Sequence, residues 1–350
     1  MPTKPFEPRG VWPALATPFT DDGEIDLDRY RRLIEFVVDQ GVTGVVPCGT
    51  TGESPTLSWQ EHEDLVGAAI DTVDGAVGVL AGTGSNNTQE AIRGTEDAYR
   101  RGASAALLVD CYYNGPSSLE LRTEYYERVL KAVPEIPLVP YVIPGRTGCA
   151  LGAEDLAMLH QSAPERVPAV KQATGDLDRM RRDRELAGPG LAIMSGDDDM
   201  TLHMMNDPAI AASGVISVMG NLVPKALSEM VAARADGDVA RAGEIAAQIG
   251  PLLKCVGVKA HAVRELPDGR KLQVVDGFRN PLPLKTMMAG LGVIGRYGRR
   301  PLGQMSAPAV EVVRGAVRAV WEAAPEWLRP IEDAFDVRIA KRLEDDAAWR

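Results

Sequence analysis

The sequence predicts an α/β protein, a (β/α)8 barrel with a C-terminal helical appendage, and three observations predict it. Eight short apolar, β-branched runs recur between Val11 and Val218; each leads through a Gly, Pro or polar loop into a longer helix-period segment; and after Val218 the strand-like runs stop. Strands alternating with amphipathic helices form a parallel sheet, and eight such units suggest closure.

The runs place strands at Val11–Ala16, Gly44–Pro47, Val77–Ala81, Ala106–Val109, Leu138–Val142, Ala169–Gln172, Leu191–Met194 and Val215–Val218. The segments between them read as helices. From Asp28 to Gln40, Leu33, Ile34, Phe36, Val37 and Val38 make a broad apolar face, and Ser58-Trp-Gln-Glu61 has the form of a capping box ahead of Leu65 and Val66. The remainder reads as helices only, at Pro224–Ala235, Asp238–Val263, Leu284–Leu291 and Ala309–Ala323. The expected division is therefore a catalytic barrel over 1–223, a helical region over 224–324 and an extra tail over 325–350. In the tail, Trp327, Leu328, Ile331, Phe335 and Ile339 alternate with charges, which suits a docking helix, an oligomer contact or a loose end.

Composition narrows the function. The 350 residues are 45% hydrophobic, enough for one sizeable core. With 38 Lys and Arg against 49 Asp and Glu, the net charge is −11, and no basic block tracks a phosphate backbone, so nucleic acid is not an expected partner. The N-terminal MPTKPFEPRG lacks an apolar leader core and no run reaches the ~18 apolar residues of a membrane span, so a cytoplasmic protein without a membrane partner is expected. Cys48, Cys111, Cys149 and Cys255 are widely spaced and read as reduced thiols.

In a parallel barrel the chemistry gathers where strands end, at their C-terminal tips. The second strand ends in Gly49-Thr-Thr-Gly-Glu53, whose backbone N–H groups and hydroxyls suit an oxyanion, although the same string also serves as a plain turn before a helix. The fourth ends in Tyr112-Tyr113-Asn114. The fifth runs from Tyr141 into Pro144-Gly-Arg146-Thr-Gly148, where a guanidinium at a pocket mouth suits a carboxylate; tyrosines as packing residues and a surface arginine are the plainer alternatives. Lys171, between Val167-Pro-Ala-Val170 and Gln172-Ala-Thr-Gly175, is the informative residue. Burial disfavours its charged form and frees the amine as a nucleophile, whereas a lysine at the strand end would simply meet solvent. An amine that forms an iminium with a 2-keto acid has made its own electron sink, so this route needs no metal or other cofactor. His62, His160, His203 and His261 are scattered, mostly in helical segments, without ligand spacing, and Asp197-Asp-Asp199 reads as helix-start caps, so no metal site is expected.

Taken in order, Gly49-Thr-Thr-Gly-Glu53, Tyr112-Tyr-Asn114, Tyr141 with Gly-Arg146-Thr-Gly, Val170-Lys171-Gln-Ala-Thr-Gly-Asp176, Ser195-Gly-Asp-Asp198, Gly214-Val-Ile-Ser217 and Asn280-Pro-Leu-Pro-Leu-Lys285 resemble the dihydrodipicolinate synthase/N-acetylneuraminate lyase family of class I aldolases, from about Gly10 to about Ser306. The resemblance implies a Schiff base on Lys171 and Tyr141 as general acid/base. Thr51 and Tyr113 would relay protons, Tyr113 reaching in from a neighbouring subunit. Thr50 and Thr51 would hold the pyruvate carboxylate, Gly196 and the Ile216 carbonyl would face substrate, and Arg146 would bind the carboxylate of an incoming aldehyde.

Arg146 favours the dipicolinate-forming branch, which joins pyruvate to L-aspartate 4-semialdehyde. A homotetramer built as a dimer of dimers is implied, as is a lysine-inhibitor site at Ser54, Trp59, His62, Asn86, Glu90 and Tyr112. The chain departs from the family pattern at Cys111, Val142 and Gln172, and Arg264–Phe278 and the tail are longer than the norm, which is expected to alter quaternary contacts. The competing readings are a 2-keto-3-deoxy sugar-acid aldolase or dehydratase using the same lysine, and a non-catalytic keto-acid-binding relative.

Overall fold

The computed structural model of the protein describes residues 3–295 and 298–349. Eight parallel strands, β1 (Gly10–Pro13), β2 (Gly44–Val45), β3 (Gly78–Gly82), β4 (Ala105–Val109), β5 (Leu138–Val142), β6 (Ala169–Gln172), β7 (Ala192–Ser195) and β8 (Gly214–Ser217), are hydrogen-bonded in the order β1-β8-β7-β6-β5-β4-β3-β2. The seam between β1 and β2 is closed by a parallel bridge at Ala14 and Val46. Across it Val46 N donates to Pro13 O at 2.9 Å and Leu15 N to Val46 O at 3.0 Å. The predicted barrel is the observed one, and β5 and β6 run as expected; the others differ by a few residues at their ends, where hydrogen-bonding gives way to loop.

Two apolar layers result because barrel strands are covered on both faces. Trp12, Val46, Leu80, Leu107, Val139, Ala169, Met194 and Ile216 fill the lumen. A second, larger core lies between strands and helices. The lumen layer depends on a close approach: a Cβ on Gly44 would lie 2.1 Å from Trp12 Cζ3, so the indole occupies the space a side chain at the start of β2 would need. Phe6 packs on the same indole, ring centroids 5.1 Å apart.

The helix Leu27–Asp39 buries Tyr30, Leu33, Ile34, Phe36 and Val37. In the helix Trp59–Val73, Ser58 and Glu61 form the reciprocal capping box, a device whose N-cap residue alone contributes about 1 kcal/mol. After β8 the helix Pro224–Ala235 packs on β1. It is the helix of the eighth βα unit.

The all-helical reading of the rest needs correction. The helix Val239–Leu253 stops ten residues short of Val263, and β9 (Gly257–Glu265) and β10 (Lys271–Arg279) form an antiparallel hairpin that also holds His261. Its signal was present in the sequence. Val258 and Ala260 are buried while Gly257, Lys259 and His261 face out, a period of two, and Pro267-Asp-Gly269 supplies a turn in which Gly269 takes φ +86°. Beyond the hairpin lie helices Leu282–Leu291 and Ala307–Ala323.

The tail docks. Helices Arg329–Phe335 and Ile339–Glu344 bury Ile331, Phe335, Ile339 and Leu343. Arg342 donates to the carbonyls of Gly290 and Ala289 at 2.6 and 2.9 Å, meeting the acceptors a helix C-terminus leaves open. Trp327 Nε1 reaches Gln248 Oε1 at 2.8 Å. Among the described residues no helix is long and apolar enough to cross a membrane.

Candidate active site

Lys171 sits in β6 between Tyr141 of β5 and Met194 of β7, in register with both. It is 5% exposed, and its ammonium lies 4.0 Å from the centre of the Tyr141 ring. Burial pushes the amine down to about 8, against the pull of Asp197 and Asp198 and with the help of the nearby Arg146 charge. The space it occupies exists because residue 196 is glycine: a Cβ there would fall 2.7 Å from Ala173 Cβ and 3.1 Å from Lys171 Cε.

Burial pushes the Tyr141 phenol up to about 12, while the Arg146 charge and a hydrogen bond from Thr50 draw it back. This corrects one expectation. Thr50, not Thr51, sends its hydroxyl to Tyr141; Thr51, 1% exposed, instead accepts from Asn280 Nδ2 at 3.0 Å. The tight Gly49-Thr-Thr-Gly turn, closed by Gly52 N to Gly49 O at 3.1 Å, points consecutive hydroxyls in different directions.

The same turn is anchored from below. Glu53, buried at φ +60°, forms an ion pair with Lys285, and its other oxygen accepts from Arg299 N at 2.9 Å. Lys285 also donates to Thr17 O at 2.9 Å. The Asn280-Pro-Leu-Pro-Leu-Lys285 motif therefore braces the Gly49–Glu53 motif, a pairing that sequence reading left without a role.

At the barrel mouth Arg146 is exposed, and its Nη2 donates to Asn280 O at 2.8 Å. With Tyr141, Thr50, Ile143, Thr147 and Tyr112 it lines a cavity of about 250 Å³. Ile216 of β8 faces the lumen, fully buried. Tyr113 is not brought into the site of its own chain: it is 91% exposed, at φ +77°, with its backbone N–H on Thr147 O.

Asp197, with no role expected beyond capping, faces Lys171 and is held up to about 6 by burial despite the lysine's pull. Asp198 behaves differently, accepting from Ser217 Oγ and from the N–H groups of Val218 and Met219. Among the described residues no cluster of three His, Cys, Asp or Glu is placed to hold a metal ion. Of the departures from the family pattern, Val142 points into the outer core, away from Tyr141. Gln172 donates to Asp183, and the Cys111 thiol reaches Ser85 O at 3.5 Å.

The six residues of the expected inhibitor site fall into two groups. Trp59 and His62 lie with ring centroids 4.8 Å apart, and His62 Nε2 is 3.3 Å from Ser54 Oγ. Asn86 and Tyr112 line a separate recess, and Glu90 accepts from Ser85 Oγ at 2.7 Å while pushing the Tyr112 phenol up, second to burial. Ser54 and Tyr112 both border the active-site cavity, so the two groups adjoin it.

Residues 7–320 match the model of the dihydrodipicolinate synthetase family. A 4-hydroxy-tetrahydrodipicolinate synthase of Methanothrix thermoacetophila is 42% identical over 299 residues, 85% of this chain and 92% of the relative. The crystal structure of dihydrodipicolinate synthase from Aquifex aeolicus matches with a TM-score of 0.79 and 36% identity, covering 92% of this chain and 99% of that one. The dihydrodipicolinate synthase of Cyanidioschyzon merolae, solved with lysine bound, matches with a TM-score of 0.79 and 30% identity over 89% of this chain and 98% of that one.

Proposed function

Because the chain belongs to the dihydrodipicolinate synthetase family, we propose that it carries the activity of a 4-hydroxy-tetrahydrodipicolinate synthase and that Lys171 is its nucleophile. The observation that carries this reading is the buried Lys171 amine, brought down to about 8 beside a neutral Tyr141 phenol.

The amine adds to the ketone carbon of pyruvate, and water leaves to give the iminium. Loss of a methyl proton then gives the enamine, which forms a carbon–carbon bond with the aldehyde carbon of L-aspartate 4-semialdehyde. Attack of that substrate's own amino group on the iminium closes the ring and returns Lys171. The iminium is the electron sink, so the reading calls for no metal or organic cofactor. Tyr141, with Thr50 on its hydroxyl, moves the protons of the addition and dehydration steps. Arg146 holds the semialdehyde carboxylate, and the Thr50–Thr51 turn receives that of pyruvate.

The exposed Tyr113 supports an assembly in which it completes the site of a second copy of the chain, within the dimer-of-dimers arrangement expected above. The Ser54, Trp59 and His62 group, with Asn86, Glu90 and Tyr112, supports binding of free lysine as an inhibitor, a ligand present in the Cyanidioschyzon relative. Titration of lysine to millimolar concentration by calorimetry tests that second site, and absence of heat counts against it.

The deciding experiment follows pyruvate consumption with and without the semialdehyde, with Lys171→Ala as control. Semialdehyde-dependent turnover that vanishes in the variant is expected. Turnover that persists in Lys171→Ala would remove the mechanism, and borohydride trapping of pyruvate without semialdehyde turnover would move the substrate elsewhere.

A further inference from the structure

One buried polar chain is not used by the reaction just described, and it joins the nucleophile's strand to the loop that carries Arg146. Gln172, next to Lys171 and fully buried, donates to the Asp183 carboxylate, which is itself fully buried. The second oxygen of Asp183 accepts from Arg179 Nε at 2.9 Å. Arg179 reaches on to Leu151 O, and Leu151 N donates to Asp110 Oδ2 at 3.1 Å. The other oxygen of Asp110 accepts from Tyr126 Oη at 2.6 Å. A π-helical segment, Leu121–Tyr126, places both Tyr125 and Tyr126 in the core and carries that hydroxyl to the end of β4.

Both backbone groups of Leu151 are thus held, one by the end of β4 and one by the helix that follows β6. At the other end, Arg146 N donates to Ile143 O at 2.9 Å as the chain leaves β5. The stretch between these two anchors presents Arg146 at the mouth. Buried carboxylates and a buried amide are costly to desolvate, and here both carboxylates and the Gln172 NH2 find partners while the Gln172 amide oxygen does not. Asp110 and Asp183 are both pushed upward by burial, so the chain is maintained against a desolvation penalty. Gln172 also accounts for its own identity: a glutamate there would set two carboxylates against each other at the Asp183 contact.

We propose that the Gln172–Asp183–Arg179–Leu151–Asp110 chain is a positioning device that fixes the Arg146 loop relative to the Schiff-base strand, and so determines binding of the aldehyde substrate without taking part in iminium formation. This rests on the reading of Arg146 as the aldehyde's carboxylate partner. Asp110 and Arg179 touch no substrate in this scheme; they act through Leu151.

The test uses Asp110→Ala, which leaves the Leu151 N–H without its acceptor while the Tyr126 hydroxyl keeps the Leu108 carbonyl, and Asp110→Asn, which restores an oxygen at that place. Arg179→Lys serves as an independent variant, since one ammonium does not span both Asp183 and Leu151 O. In Asp110→Ala the KM for the semialdehyde is expected to rise about 10-fold or more, while pyruvate KM and borohydride trapping stay within about 2-fold. Asp110→Asn is expected to recover most of the difference, and Arg179→Lys to show the same split.

Hydrogen exchange over residues 143–152 is expected to accelerate about 10-fold in Asp110→Ala with the barrel strands unchanged. Unchanged exchange in that segment, or equal losses for both substrates in Asp110→Ala and Arg179→Lys, would overturn the proposal. A wild-type enzyme that traps pyruvate but does not turn over the semialdehyde removes the substrate reading alone. The exchange experiment then still decides whether the chain holds the loop.

Discussion

The Asn280 amide donates to the Thr51 hydroxyl at 3.0 Å across 229 residues of chain. The C-terminal region is therefore part of the site's support, since the same short motif also supplies the carbonyl that Arg146 holds and, five residues on, the Lys285 that pairs with Glu53. Breaking a buried ion pair by removing one partner costs about 3–5 kcal/mol. Lys285→Met is expected to lower unfolding stability by roughly that amount, measured by urea titration. A loss below about 1 kcal/mol would mean that the pair is dispensable.

Thr50 and Thr51 are separable by mutation. Thr50→Val removes the hydroxyl that meets Tyr141 and is expected to reduce kcat by about 100-fold, the size of a positioned proton-transfer contribution. Thr51→Val removes an acceptor for Asn280 and is expected to cost about 1 kcal/mol of stability with a smaller kcat effect. The reverse ranking in kcat would restore the relay order expected from sequence.

The rate of pyruvate trapping on Lys171 is expected to climb with pH and level off above about 8, where the buried amine is neutral. Linkage gives the matching stability change. The folded amine releases its proton near 8 and the unfolded one near its ordinary value of 10.5, so between these the unfolded state holds more protons and stability rises with pH. Lys171→Met is expected to lack that rise in urea midpoints taken at intervals through the window.

Asp110 has the opposite dependence. Burial raises it to about 7 from an ordinary 3.8, outweighing the hydrogen bonds from Tyr126 and Leu151 and the charge of Arg179. The folded state then holds the extra proton, and stability is lost as pH rises between those values. Asp110→Asn does not ionise and is expected to lose less stability than the wild type over that interval. Parallel pH profiles of the two proteins would show that Asp110 titrates normally.

Much of this was legible in the residues. Eight apolar runs gave the barrel, and the burial of Lys171 was legible from its place within one of them, because a strand covered on both faces reads as a continuous apolar run. The hairpin at β9 and β10 was missed because Val239–Leu253 and Gly257–Val263 join into one apolar stretch, which masked the alternation from Val258 and the Pro267-Asp-Gly269 turn. That Thr50 and not Thr51 meets Tyr141 was not legible, because adjacent hydroxyls differ only in the turn's dihedral angles. The supporting roles of Asn280, Glu53 and Asp110 were out of reach for a further reason: each depends on a partner more than a dozen residues away, which topology alone brings near.

Trp12 and Phe6 give the site one more property. The indole fills the space over the start of β2, so that end of the lumen is packed with side chain, and the cavity lies toward the strand ends where Arg146 stands. On the reaction proposed above, pyruvate and the aldehyde would reach Lys171 from that same end.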